Sequence, residues 1–180
     1  DRPVKLSLPV NLRNIYPSKT LMNFSFYVNV PVRMDYGEYS LDDLIALVSH
    51  YMGIETMEPM LNARFSANVK AERNPLLRAA PLVIKNLALK AVFSITGERY
   101  MTSTLTNMGR IAMPPEMEQR VERIDLVLGR ARKTPLNCAV LSACGKTMVT
   151  FSITMRETNV ERDFFTSLIR LGVPVLIESN

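Results

Sequence analysis

The 180-residue chain carries one histidine, two cysteines, seven glycines and no tryptophan. Each scarcity removes a class of chemistry. With His50 as the only imidazole, a metal centre would need clustered carboxylates, and the sequence shows none at ligand spacing. Cys138 and Cys144 match no zinc spacing and share one apolar stretch. They read as a buried pair of free thiols in a reducing, cytoplasmic setting. The glycines of TGER (96–99) and CGKT (144–147) stand singly in turns, far below a phosphate-cradling loop. No apolar run approaches the roughly 18 residues that span a bilayer. Aromatics make up only 7% of the chain and do not interleave with a basic run; Lys and Arg are scattered among acids for a net charge of +5. A nucleic-acid reader would cluster its charge. There is also no internal repeat and no low-complexity tract.

What is present is the composition of a globular domain: 47% hydrophobic and 22% charged residues, in a length that suits one domain with a real core. The chain opens on Asp1 and enters a strand pattern at once, so we expect a piece of a longer polypeptide.

Residues 4–12 read as a strand. Residues 23–32 read as a second, with Phe24, Phe26 and Val28 on one face and Pro31 marking an end or an edge. Ser40 with Asp43 predicts a capped helix start, and Gly53 its end. A second helix is expected over 56–73, striped by Met60, Leu61, Phe65 and Val69 and broken at Asn74-Pro75. A third follows, with Pro81 near its first turn. It would turn Leu82, Val83, Leu87, Leu89, Val92 and Phe93 to the core and stop at Gly97.

Strands are then expected over 99–107, 121–128, 136–144 and 146–155, the last two as a hairpin about Gly145, with a helical turn at 116–119. Within the hairpin, Val149, Phe151, Ile153 and Met155 fall on one face and Thr150, Ser152 and Thr154 on the other. Asn159 would cap a last helix to Leu171, with Val160, Phe164, Leu168 and Leu171 inward, Gly172 ending it and a short strand at 173–177. About seven strands and four helices predict an α/β (α+β) domain. Its sheet would be mixed and largely antiparallel, with helices packed on one face.

The most unusual stretch is TSTLTNMGR (102–110). Its hydroxyls and amide crowd onto a strand, where they could form a solvated face or line a polar slot. The rest of the chain gives no self-sufficient active site. His50 sits in a helix without an acid four residues away. MRETNVERD (155–163) reads as a loop and a solvated helix face. Ser142 and Ser152 have no nearby His, so no nucleophile has a base.

The order strand TSTLTNMGR, strand TPLNCAVLSAC, turn, strand KTMVTFSITM and helix NVERDFFTSLIRLG resembles the closing segment of the chloramphenicol-acetyltransferase-like fold. PVNLR (9–13), SKTLMNFSFYVN (18–29), PLVIKN (81–86), LTNMGRIAMPPEM (105–117) and ERDFFTSLIRLGVPVLIESN (161–180) resemble the C-terminal half of bacterial alcohol acetyltransferases in that superfamily, which also holds peptide-synthetase condensation domains. The likeness covers nearly the whole chain.

The resemblance implies one C-terminal lobe (1–180) of a two-lobed, CoA-dependent acyltransferase, inactive by itself. In such enzymes an HHxxxDG loop on the N-terminal lobe supplies the catalytic base. The corresponding loop here, TMRETN (154–159), has neither His nor Asp-Gly, so no catalytic residue is expected in this chain. The base takes the proton of an alcohol or amine acceptor, which attacks an acyl thioester. Hydroxyls on the strand that matches TSTLTNMGR face the oxyanion.

Ser103, Thr104, Thr106 and Asn107 are therefore the expected substrate or oxyanion side; Thr106-Asn107 stands where the family has Ser-Asn. Arg13 could pin the loop after the first strand or contact the channel between the lobes, with the structural role favoured, and Asn29 is a similar case. No metal or tightly bound cofactor is implied, and acyl-CoA enters as donor substrate. The implied partners are the N-terminal lobe, a small-molecule acceptor and a homodimer of the isolated lobe, with no nucleic acid and no membrane span. Two other readings stay open: a non-catalytic binding module that keeps the fold, and a shared-site homo-oligomer using His50.

Overall fold

The computed structural model describes residues 3–73, 75, 79–92, 101–129 and 134–179. Its frame is a five-stranded sheet whose strands are gathered from both ends of the chain. β1 (Val4–Asn11) and β2 (Ser25–Val32) pair antiparallel, from Val4 opposite Val32 to Asn11 opposite Ser25. β3 (Ser103–Arg110) lies parallel to β1, and β4 (Leu136–Ala143) parallel to β3. β5 (Lys146–Ile153) returns antiparallel to β4 through Gly145 at φ 72°. The spatial order is β2-β1-β3-β4-β5. Two strand interfaces are parallel and two antiparallel, and the antiparallel ladders are the longer, so the sheet is mixed and largely antiparallel as expected. The local hairpin signals were legible, but the crossovers that bring β1, β3 and β4 together leave no such mark.

Period-2 alternation splits the sheet into two unlike faces. On one face stand Leu6, Leu8 and Val10, then Phe26, Val28 and Val30, then Leu136, Cys138 and Val140, then Val149, Phe151 and Ile153. Helices pack here. α1 (Leu41–Glu55) starts with the expected box: the Ser40 hydroxyl accepts the Asp43 N–H while the Asp43 carboxylate accepts the Ser40 N–H. It runs through Gly53. α2 (Glu58–Arg73) sets Phe65 edge-on to Phe26 and Tyr16, and the Tyr16 hydroxyl donates to Asn62. Of its expected stripe, Leu61 is fully buried and Phe65 half-buried, while Met60 and Val69 are exposed.

α3 (Leu82–Val92) follows, and α4 (Pro115–Glu118) is the single turn expected near that position. α5 (Asn159–Arg170) stacks Phe164 and Phe165 edge-on to Phe151. Because Phe26 and Phe151 share a face, α2 and α5 cover the same side.

Several expectations fail, each for a physical reason. Leu82, Val83, Leu87 and Leu89 are exposed, not core-facing. Apolar periodicity identified the helix but could not supply a surface to bury it. Val160 and Leu171 are likewise exposed, so the inward side of α5 runs from Glu161 through Phe164 and Phe165 to Leu168. Asn159 is the first helical residue rather than the cap, and its side chain accepts a bond from Arg162.

Residues 121–128 form no ladder. Ile124, Leu126 and Leu128 are half-buried while Asp125 and Val127 are exposed, and the Leu126 carbonyl accepts the Thr150 hydroxyl. The alternation reports a covered side, not a hydrogen-bonded neighbour; this segment is a strap laid over the second face. Residues 173–177 are also unpaired. The Val173 N–H donates to the Leu168 carbonyl and the Gly172 N–H to that of Ile169, a Schellman turn with Gly172 at φ 80°, and Pro174 has no N–H to give. Among the described residues there are therefore five strands rather than seven. Asn74, Phe93, Gly97 and Arg99 lie outside the described residues, as does the side chain of Val92.

Candidate polar face and the β3 bulge

TSTLTNMGR is divided by the strand it forms. Thr102 precedes β3 and locks it to β1: its hydroxyl accepts the Lys5 N–H at 3.0 Å, and its own N–H donates to the Lys5 carbonyl at 2.8 Å. Ser103 aligns with Leu6 and Leu136 on the helix-bearing face. Thr104 and Thr106 point the opposite way, to the face under the strap. Asn107 lies at the exposed exit of β3, in register with Val140. The four expected site residues therefore do not line one slot: Thr104 and Thr106 share the face under the strap, and Ser103 and Asn107 align with the other face.

Thr104 belongs to a longer feature. It aligns with Ser7 on β1 and Asn137 on β4, Ser7 with Asn29 on β2, and Asn137 with Ser152 on β5. Asn29, Ser7, Thr104, Asn137 and Ser152 thus form one polar row crossing every strand, roughly 19 Å long at the usual strand spacing. Its middle is sealed: Ser7 is 1% exposed and Asn137 4%. Asn137 donates to the Gly129 carbonyl at 3.4 Å, and the buried Ser152 hydroxyl has no hydrogen-bond partner among the described residues. Burying such a group without a partner costs about 1–3 kcal/mol. No stretch of sequence contains this row; its members are 145 residues apart in order, from Ser7 to Ser152.

β3 ends in an irregularity. Asn107 pairs with Val140 but Arg110 with Ser142, so β3 spends one residue more than β4 between those pairs. This bulge is closed locally: the Gly109 N–H donates to Asn107 Oδ1 at 2.8 Å, with Gly109 at φ 68°. A side chain at 109 would be strained by that backbone. Bulges of this kind re-aim the residues at a strand end. Here the bulge leaves Thr106 half-buried and Asn107 and Met108 exposed.

Elsewhere, chemistry is sparse. Arg13 pins the loop as expected, donating through Nη2 to the Thr20 and Met22 carbonyls at 2.9 and 2.6 Å. His50 is exposed on α1, and Asn29 is an exposed end of the polar row. The Ser142 and Thr147 hydroxyls bond each other at 2.9 Å. Burial pushes the Cys138 thiol up to about 11, an inert setting, while Cys144 is half-buried; both are free.

Glu161 in the first turn of α5 was read as solvated, yet both its carboxylate oxygens are buried without a hydrogen-bond partner among the described residues. The charge-rich sequence around it hides this. A cleft of about 530 Å3 lies at the opposite end of the sheet from the bulge, between Pro31, Arg33, Tyr36, Tyr39 and Tyr51. Its cation, Arg33, is engaged by Asp35 at 2.8 Å. No cluster of metal-ligating side chains occurs among the described residues.

The arrangement can offer hydroxyl and amide hydrogen bonds to an oxygen. It holds no imidazole next to those hydroxyls. Comparison of the chain with protein-family models, with curated proteins and with solved structures gives no match.

Proposed function

We propose that this chain is the C-terminal half of an acyltransferase that moves an acyl group from a thioester, such as acyl-CoA, to an alcohol or amine. The observation that carries this reading is the exit of β3. A hydroxyl-bearing strand reaches the bulge at Asn107–Gly109, with Thr104 and Thr106 on the face under the strap. That supply of donors without a base suits one side of a shared site. Thr106 would stabilise the oxyanion of the tetrahedral intermediate, a contribution worth roughly 10²–10³-fold in rate for one donor. The base belongs to a second lobe bearing HHxxxDG, and typically adds about 10²–10⁴-fold. Acyl-CoA is a substrate here, not a resident cofactor.

The test begins with the reading frame upstream of the Asp1 codon. It should encode a mixed α/β lobe with HHxxxDG after a strand. The two-lobed protein should then transfer acyl groups from acyl-CoA to an alcohol panel, and T106V should lower kcat by roughly 10²-fold while T106S retains most of it. A two-lobed protein that transfers nothing overturns the reading.

A second reading has its own support. Asn107 is committed to Gly109 and Thr102 to Lys5, so part of the motif serves the backbone. On that reading the chain is a non-catalytic binding module that keeps the fold. A start codon immediately upstream, with a stable monomer lacking acyl transfer, favours it.

A further inference from the structure

The cleft at the far end of the sheet from the β3 bulge takes no part in acyl transfer as proposed, and its chemistry is one-sided. Its walls come from three pieces of local structure. Pro3 leads into β1, and Pro31 stands near the end of the edge strand β2. Leu47 and Tyr51 lie four residues apart on α1 and so share a face. Between strand and helix the chain turns through 33–40, which carries Arg33, Tyr36 and Tyr39. This turn is held at both ends. The Tyr39 hydroxyl donates to the Arg33 carbonyl at 2.9 Å, and Ser40 caps α1. Pro31, Tyr39, Leu47 and Tyr51 are half-buried, while Tyr36 at the rim is 72% exposed. The space they enclose, about 530 Å3, lies in the size range of ligand sites.

The acceptors of the 33–40 turn that stand nearest this space are engaged. The Arg33 carbonyl accepts from Tyr39, and the Asp35 carboxylate accepts from Arg33 Nε and Nη2 at 3.2 and 2.8 Å. The two prolines have no N–H. What the side chains leave over is the hydroxyls of Tyr36 and Tyr51 and the Nη1 group of Arg33, none with a hydrogen-bond partner among the described residues. The cleft therefore combines aromatic and aliphatic walls with spare donors, and it holds no unengaged carboxylate or amide.

We propose that this cleft binds a proline-rich segment of a partner protein in the polyproline II conformation. Such a segment presents apolar rings and one free carbonyl per residue. At each proline it has no N–H to leave unsatisfied against the tyrosine rings. It is stiff before it binds, so ordering it costs little, and aromatic-lined grooves take it for that reason. Other occupants fit less well. A cation held in an aromatic cage would meet the Arg33 guanidinium, which already lies 4.9 Å from the centre of the Tyr36 ring. An anion would find that guanidinium holding Asp35. A nucleobase edge, or an extended peptide without proline, brings N–H donors for which the side chains keep no acceptor beyond two hydroxyls. The inference does not rest on the acyl-transfer reading.

The experiment titrates the full chain into an octaproline peptide that ends in tryptophan. The chain has no tryptophan, so the indole fluorescence belongs to the peptide alone. The control is a Gly-Ser peptide of the same length and ending. Octaproline should bind saturably and about tenfold or more tighter than the control. Its affinity should change by less than about twofold between roughly 0.05 and 0.5 M salt, because no ion pair forms. Y51F removes one donor and should weaken binding about fivefold. Y36A removes the exposed wall and should weaken it about tenfold. Y27F alters an exposed tyrosine of β2 that does not line the cleft, and should change nothing. No saturable binding, equal affinity for the two peptides, or full binding by both Y51F and Y36A overturns the proposal. So does a dimer in sedimentation equilibrium that Y36A dissolves, because a second copy is then the occupant.

Discussion

β4 and α3 are similarly apolar segments with opposite fates. LNCAVLSA in β4 puts Cys138, Ala139, Leu141 and Ala143 below 9% exposure. LVIKNLALKAV in α3 leaves its leucines and Val83 in contact with solvent. The difference lies in neighbours. β4 is flanked by β3 and β5, with the strap on one side, and α5 covers Phe151 of the neighbouring β5 on the other. α3 satisfies its backbone internally and gains no such flanks among the described residues. The molecule as a whole shows the same deficit: its accessible surface is 14201 Å2, against about 8,800 Å2 for a compact monomer of this mass.

Substitutions in the two segments should have effects of very different size. L141A should cost about 2–5 kcal/mol in denaturant unfolding, because a 2% exposed leucine leaves a cavity between strands that cannot close. Thiol labelling reads the same region. With the Cys138 thiol pushed from 9.0 to about 11, its thiolate at pH 8 is about 100-fold scarcer, so labelling should slow by at least that factor relative to the urea-unfolded chain.

Removing a cap is a smaller change. S40A should cost about 1 kcal/mol, since α1 loses the acceptor for the Asp43 N–H. That cost is pH-dependent. Bonds from Ser40 hold the Asp43 carboxyl below its ordinary value, so their stabilisation is present above the unfolded pKa and lost as pH falls through the folded one. The gap between wild type and S40A should therefore narrow from pH 7 to pH 3. The smallest effect belongs to α3: L87A in the isolated chain should stay within about 0.5 kcal/mol. If L87A costs as much as L141A, the contrast between the two segments is wrong.

Legibility followed locality. The capping box of α1, the turn at Gly145, the helix stop at Gly172 and the loop-pinning role of Arg13 were readable because their partners lie within nine residues. The two faces of the β4–β5 hairpin were readable from alternation alone. The strap at 121–129 was misread as a strand because a covered side gives the same alternation whether or not a ladder forms. The tail at 173–177 was misread because β propensity cannot say that no edge receives it. In the candidate site, TSTLTNMGR was singled out by its hydroxyls. Its division between two faces followed from the pairing with β1 and β4, and the burial of Ser7, Asn137 and the Ser152 hydroxyl was invisible from any window.

Local sequence located α1, α2, α5 and four of the five strands to within a few residues, because caps, glycine turns and apolar period act over that range, although α1 runs past Gly53 and Asn159 does not cap α5. It also fixed the number of imidazoles in the chain at one. The tertiary structure alone decided the β2-β1-β3-β4-β5 order, the polar row across five strands and the bulge that frees the end of β3. Those features arise when segments up to 145 residues apart are brought into register, and register is set by the burial of whole faces, not by any local preference.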